Sequence, residues 1–255
     1  MKMNIEGSKA YWLSEEEKAH INGWDFSYIA GRFGSEEEHI PWSYREVIDR
    51  YRRDTDRLLD IDTGGGEFLL SLGHPAALTC ATEGYPPNVE LCRRKFSKLG
   101  IEFREMRDCT AMPFPDESFD IVIDRHGSFD PEELYRILRP GGVFVTQQVG
   151  EENDRELVEM LLPGLPKQYP GHDLANNVKA LENAGFTILE KGEAFPPIRF
   201  FDTGALVWFA KIIEWEFAGF SVEKCLEQLV KVEEEIRKNG FVEGKTHRFY
   251  LAARK

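Results

Sequence analysis

The feature that most constrains this chain is a rhythm that begins near residue 57. Short apolar strands alternate with helices, and the first strand runs straight into a line of glycines. Leu58-Leu59-Asp60-Ile61 is a compact apolar run, Thr63-Gly64-Gly65-Gly66 a turn, and a helix is predicted over 67–72. Further strands are predicted at 77–82, 101–106, 119–123 and 143–149, with helices at 87–99 and 131–138, each opening on a proline. Such alternation implies right-handed βαβ units and a parallel sheet. The strands are nearly continuous apolar runs, as expected when helices cover both faces. A strand end that feeds glycines and then a helix leaves backbone N–H groups free, with no Cβ to keep a ligand away. Glu83 lies 23 residues beyond Asp60, directly after the second strand. An acid there can accept both hydroxyls of a ribose.

Outside this core the pattern is helical. Ser14-Glu15-Glu16-Glu17 reads as a capping box opening a helix, and a second helix is predicted over 44–53. Aromatic residues, Trp12, Trp24 and Trp42 among them, crowd this arm; packing explains most of them, and capping a ligand pocket is the alternative. After Gly150 come helices at 152–162 and 172–184, a strand at 186–191, an apolar helix at 205–217, an amphipathic helix at 221–238 and a closing strand at 246–253.

Composition narrows the function classes. The 255 residues carry a net charge of −13, which argues against tight, unspecific nucleic-acid binding. A local basic patch stays open, with candidates at Arg50 to Arg53 and Arg93-Arg94-Lys95. The four cysteines, Cys80, Cys92, Cys109 and Cys225, form no Cys-x-x-Cys pair, so a zinc ribbon or dithiol motif has no support. Residues 1–9 lack the apolar core of a signal peptide, and no apolar run is long enough to span a bilayer. A cytoplasmic protein is expected. His20, His39, His74, His172 and His247 have no ligand-like spacing and read as surface or core residues.

Four pieces together are similar to the class I S-adenosylmethionine-dependent methyltransferase family. They are the turn from Asp60 to Glu67, Glu83, the segment Asp108-Cys109 followed by 112–120, and the helix and turn over 134–142. The resemblance is close over 57–149 and loose in the C-terminal strands. It implies a doubly wound α/β fold with seven strands, mainly parallel and the last antiparallel. It also implies S-adenosylmethionine as cofactor, S-adenosylhomocysteine as product, and no metal. Carried over position by position, Asp60, Asp62, Thr63, Gly64, Gly65, Gly66, Glu83, Gly84, Asp108, Cys109, Asp124 and Arg125 would hold the cofactor, Glu83 at the ribose and Asp108 at the adenine amino group. One position departs from the pattern: Asp62 stands where the family usually has glycine. Asp tolerates the left-handed backbone region better than most residues, so the turn can survive. Its carboxylate would favour the cofactor's amino group and repel its carboxylate.

His126, just past the fourth strand, is the candidate general base; holding the loop or the cofactor carboxylate is the other role open to it. Gln147 ends the fifth strand on the ligand side, and Trp208 and Trp215 are candidates to roof a substrate pocket, core packing being the plainer reading for either. The expected layout is an N-terminal helical arm, 1–54, packed on a methyltransferase domain, 55–255, with a helical insertion at 194–244. The expected activity is methyl transfer to a small molecule. An RNA or protein acceptor, and a domain that binds cofactor or a partner chain without catalysis, are the competing readings. A homodimer is open.

Overall fold

The computed structural model describes residues 4–20, 25–34 and 40–255; Trp24 and His39 lie outside them. The chain divides into two compact units. One comprises Pro41–Gly150, His172–Ala194 and Arg248–Lys255, and the other Met1–Ile40, Glu151–Gly171 and Phe195–His247. The expected arm is therefore split at residue 40. Residues 41–54 go with the sheet because the helix within them buries Tyr44, Val47 and Ile48 in the sheet's own core.

The first unit is built on a seven-stranded sheet. Taken in chain order, its early elements are α2 (Tyr44–Tyr51), β2 (Leu58–Ile61), α3 (Glu67–Ser71), β3 (Thr79–Glu83), α4 (Pro86–Leu99) and β4 (Glu102–Glu105). They are followed by β5 (Phe119–Arg125), α5 (Pro131–Ile137), β6 (Leu138–Val149), α7 (Leu174–Asn183), β7 (Thr187–Ala194) and β10 (Arg248–Arg254). The sheet order is β4-β3-β2-β5-β6-β10-β7. Strands β2 to β6 pair in parallel, and β10 is antiparallel to both β6 and β7. This is the doubly wound arrangement with a reversed last strand that the alternating pattern and the resemblance led us to expect. Two apolar clusters fill the unit, one around Leu59, Val122 and Phe144, the other around Leu58, Ile121 and Phe96. Chain order reverses direction at β2 and β5. In open α/β sheets the crevice outside the carboxyl ends of such strands is where ligands bind.

The second unit holds α1 (Ile5–Glu17), β1 (Phe33–Gly34), α6 (Arg155–Leu161), β8 (Pro197–Phe200), α8 (Thr203–Ile212), α9 (Leu226–Asn239) and β9 (Val242–Lys245). Its three-stranded antiparallel sheet, β1-β8-β9, was not expected. The strands are only two to four residues long, and their inward alternation at Ile198, Phe200, Val242 and Gly244 is too brief to stand out from loop sequence. The predicted capping box is also corrected. Helix α1 starts earlier, capped by the Asn4 side chain on the Gly7 N–H, and Ser14 sits mid-helix with its hydroxyl on the Tyr11 carbonyl, 2.8 Å away. Helix α8 is shorter than predicted and buried on all sides over residues 203–210. A half-buried cation, Arg32, organises this unit. The Arg32 guanidinium donates to both Asp202 oxygens at 2.8 Å and to Glu15 Oε2 at 2.9 Å.

Candidate functional site

The site begins at the carboxyl end of β2. Asp60 is almost completely buried and its Oδ2 accepts the Thr63 hydroxyl at 2.6 Å. Burial, with Asp62 and Glu83 nearby, pushes its pKa up to about 7. Asp62 adopts φ +50°, so the position usually held by glycine does take the left-handed turn with an aspartate in place. Burial raises its pKa to about 6, although its Oδ2 accepts the Ser128 N–H at 3.3 Å. The turn then passes through Gly64 and Gly66, both at positive φ. Gly66 has a second constraint: a Cβ there would lie 2.4 Å from the Phe96 ring, so glycine lets α4 pack under the turn. Gly64 and Gly65 offer their carbonyls to Cys92 and Lys95.

Glu83, at the end of β3, is buried; its Oε1 accepts the N–H groups of Gly84 and Tyr85 at 2.8 Å, and Asn88 reaches Oε2 at 3.3 Å. Asp108 lies exposed in the loop beyond β4. Its Oδ1 accepts from the backbone and hydroxyl of Thr110, which hold its pKa below the usual carboxylate range. Cys109, beside it, is partly covered, and burial pushes its thiol pKa up.

The end of β5 supplies the third buried acid. Asp124 is fully buried, with Oδ1 on the Gly127 N–H at 2.9 Å and Oδ2 on Gln148 Nε2 at 2.7 Å and Thr146 Oγ1 at 3.3 Å. Burial and the neighbouring Asp62 and Asp60 push its pKa well up. A Cβ on Gly127 would overlap both Asp124 and Asp62, so glycine lets this loop close on the two acids. Arg125 follows, its guanidinium 5.4 Å from the Phe68 ring centre, and it moderates the charge of Asp60. His126 has φ +67° and donates its backbone N–H to the Gln147 carbonyl. Its side chain is exposed at the surface. Desolvation by the protein packed around it, with Arg248 and Arg125 nearby, lowers its pKa to about 3.

Asp60, Asp62, Glu83, Asp124 and Arg125 thus share one electrostatic neighbourhood. Three residues that sequence reasoning had not singled out hold it together. Tyr44 Oη lies 2.8 Å from the Asp124 carbonyl and 3.1 Å from that of Val145, and accepts the Asp124 N–H. Trp42 binds Gln147, and Thr146 binds Asp124. The aromatic arm hinted at the first two, but no spacing rule joins residue 44 to residue 124. Trp208 and Trp215 lie in the other unit. Trp208 is 1% exposed within that unit's core, stacked on Tyr28 at 5.5 Å, and Trp215 is 40% exposed. Core packing is thus the role the structure gives Trp208.

Residues 59–146 match the methyltransferase-domain family. Over those residues the chain carries a methyltransferase domain. It is 37% identical over 116 residues to a demethylmenaquinone methyltransferase of Thermus thermophilus, covering 42% of this chain and 53% of that one. It is 29% identical over 161 residues to a fatty-acid O-methyltransferase of Mycolicibacterium smegmatis, covering 53% and 58%. The chain therefore spans little more than half the length of these curated relatives. A crystal structure described as a putative methyltransferase from Bacillus halodurans superposes with a TM-score of 0.57 at 21% identity, over 84% of this chain and 98% of that one. At that identity the likeness speaks for the fold alone.

The cofactor of this family is S-adenosylmethionine, and the residues present fit it. The buried Asp60, Asp124 and Glu83 and the half-buried Asp62 gather beside a glycine turn, and none of the direct hydrogen-bond partners named for them is a cation. A ligand with a sulfonium and an amino group offers positive charge beyond the single cation that Arg125 brings to these four acids. Among the described residues, no helix is long and apolar enough to cross a membrane.

Proposed function

We propose that this protein transfers the methyl group of S-adenosylmethionine to a small, lipophilic acceptor. The observation that carries the reading is the cluster of buried acids at the glycine turn, with Asp60 and Asp62 raised to about 7 and 6. Keeping acids together in a buried place is costly unless a cation joins them. When bound, S-adenosylmethionine supplies an electrophilic methyl on sulfur. The chain's part is to bind, orient and exclude water. In this reading Asp60, Asp62, Thr63 and Gly64 to Gly66 hold the methionyl end, Glu83 and Gly84 the ribose, Asp108 and Cys109 the adenine, and Asp124 with Arg125 the floor beside His126. Glu83 keeps acceptor capacity for ribose hydroxyls, since a carboxylate offers about four lone-pair positions.

A small acceptor is supported by the acceptors in the relatives' names, demethylmenaquinone and a fatty acid. It is also supported by the fate of the basic clusters. Arg93 pairs with Glu90 and Glu105, Lys95 with Glu67, and Arg50 with Glu190, so these cations are engaged locally. All four cysteines are free thiols, in keeping with a reducing cytoplasm. Calorimetry and thermal shift with S-adenosylmethionine and S-adenosylhomocysteine test the reading. Binding of both is expected, and the absence of heat and of any shift in melting temperature overturns it. Incubation with a demethylmenaquinone or a long-chain fatty acid, followed by mass spectrometry, then tests the acceptor class.

A further inference from the structure

Among the described residues His126 is the imidazole beside these acids, and its two ring nitrogens are not equivalent. Gln147, at the end of β6, is 4% exposed, and its side-chain amide lies between two rings. On one side, Trp42 Nε1 donates to Gln147 Oε1 at 2.9 Å. On the other, Gln147 Nε2 lies 3.4 Å from His126 Nε2. The Trp42 ring is itself held against the Tyr250 ring, with centres 4.9 Å apart.

The chemistry of these groups settles the direction of each bond. An indole N–H can only donate, so the amide oxygen must face Trp42. The amide nitrogen then faces His126, and it too can only donate. His126 Nε2 must accept, which requires its lone pair. A neutral imidazole carries one N–H, so that proton resides on Nδ1. The backbone adds to the constraint. His126 sits at φ +67°, its N–H on the Gln147 carbonyl at 2.9 Å, so one glutamine anchors both its main chain and its ring.

We infer that Trp42 and Gln147 are positioning residues that fix the tautomer of His126, leaving Nδ1–H as a hydrogen-bond donor and tying up the Nε2 lone pair. The functional meaning rests on the methyl-transfer reading: His126 then serves that reaction as a neutral donor that orients an oxygen of the acceptor, and not as the base that removes its proton. The lowered pKa of about 3 agrees, since such a ring stays neutral across the physiological range and holds a captured proton poorly.

The test is long-range nitrogen–proton NMR on the full chain with labelled histidine, in the absence of cofactor and acceptor. The His126 signals are identified by their loss in His126→Gln. The expected spectrum near neutral pH has a pyrrole-type Nδ1 and a pyridine-type Nε2. In Gln147→Glu, the carboxylate can accept from both the indole and the imidazole. The proton should then move to Nε2, and the His126 pKa should rise by more than one unit. In Trp42→Phe the amide loses the donor that orients it, and a mixture of tautomers is expected. A wild-type spectrum with the proton on Nε2, or two folded variants that leave the pattern unchanged, overturns the inference. The wild-type spectrum decides even if a variant does not fold. Because no ligand is present, failure here is separable from failure of methyl transfer, which the cofactor calorimetry reports.

Discussion

The two units treat buried charge in opposite ways. In the unit with the three-stranded sheet, the buried Glu15 and the helix-capping Asp202 meet on Arg32, which binds both and also donates to the Tyr11 hydroxyl. Burial alone would raise Asp202, but Arg32 and the Ala205 N–H hold it below the usual carboxylate range. In the seven-stranded unit, Asp60, Asp62 and Asp124 bind only neutral donors, and all three are pushed up. A matched ion cluster is architecture: it is complete in the folded chain. An unmatched one is a candidate site, because a ligand can bring the charge that balances it.

The largest expected effect is on the matched side. Arg32→Ala leaves Glu15 buried, with the Tyr28 hydroxyl at 3.0 Å and the more exposed Lys18 ammonium at 3.4 Å as its remaining partners. A loss on the order of 3 kcal/mol is expected, read by chemical denaturation. The unmatched side should respond with the opposite sign. Asp60→Asn removes an acid whose folded pKa lies above its unfolded value of 3.8. The stability linked to that proton is present in full below about pH 4 and is lost as the pH rises to about 7. The variant should therefore be more stable than the parent at pH 8, by on the order of 2 kcal/mol, with that advantage shrinking toward zero near pH 4. Melting curves across this range check it; a difference that does not vary with pH would mean that Asp60 is already ionised and paired.

The same comparison explains what could be read without a structure. The seven-stranded unit was legible because its central strands β2, β5 and β6 carry buried apolar runs and its turns carry their own glycines. Asp60 and Glu83 followed from strand ends alone. Their burial and their closeness to Asp124 did not, since the pairing of β2 with β3 and β5 is what brings residues 60, 83 and 124 together. In the other unit, β1 pairs Phe33 with Phe200 across 167 positions, on a strand two residues long. Nothing local marks such a strand. Helix α8 was visible as an apolar segment, but whether Trp208 roofs a pocket or fills a core depends on Tyr28 and Phe26, which lie far away in sequence.

A smaller effect follows from the ligand the unmatched acids await. If a cationic cofactor binds beside Asp60 and Asp62, it draws their pKa values down, and protons leave on binding. Calorimetry with S-adenosylmethionine near pH 6.5, in buffers of different ionisation heat, should show release of about one proton. Proton uptake, or none, would place the cofactor's positive groups elsewhere.

The finest prediction separates the two roles that Asp62 combines. At φ +50° it occupies a region where L-residues are strained by about 1–2 kcal/mol, less for aspartate than for most. It also presents a carboxylate to the cluster and to the Ser128 N–H. Asp62→Gly relieves the strain and removes the charge. Asp62→Asn keeps a side chain that tolerates the turn and removes only the charge. If the charge matters for the cofactor, both variants should bind S-adenosylmethionine severalfold more weakly, and by similar factors. Glycine should gain a little extra stability from the relaxed turn, on the order of 0.5 kcal/mol. If Asp62 is only a turn residue, the glycine variant should bind as well as the parent. Affinity measured on this pair thus distinguishes an acid retained for a ligand from one that the turn merely tolerates.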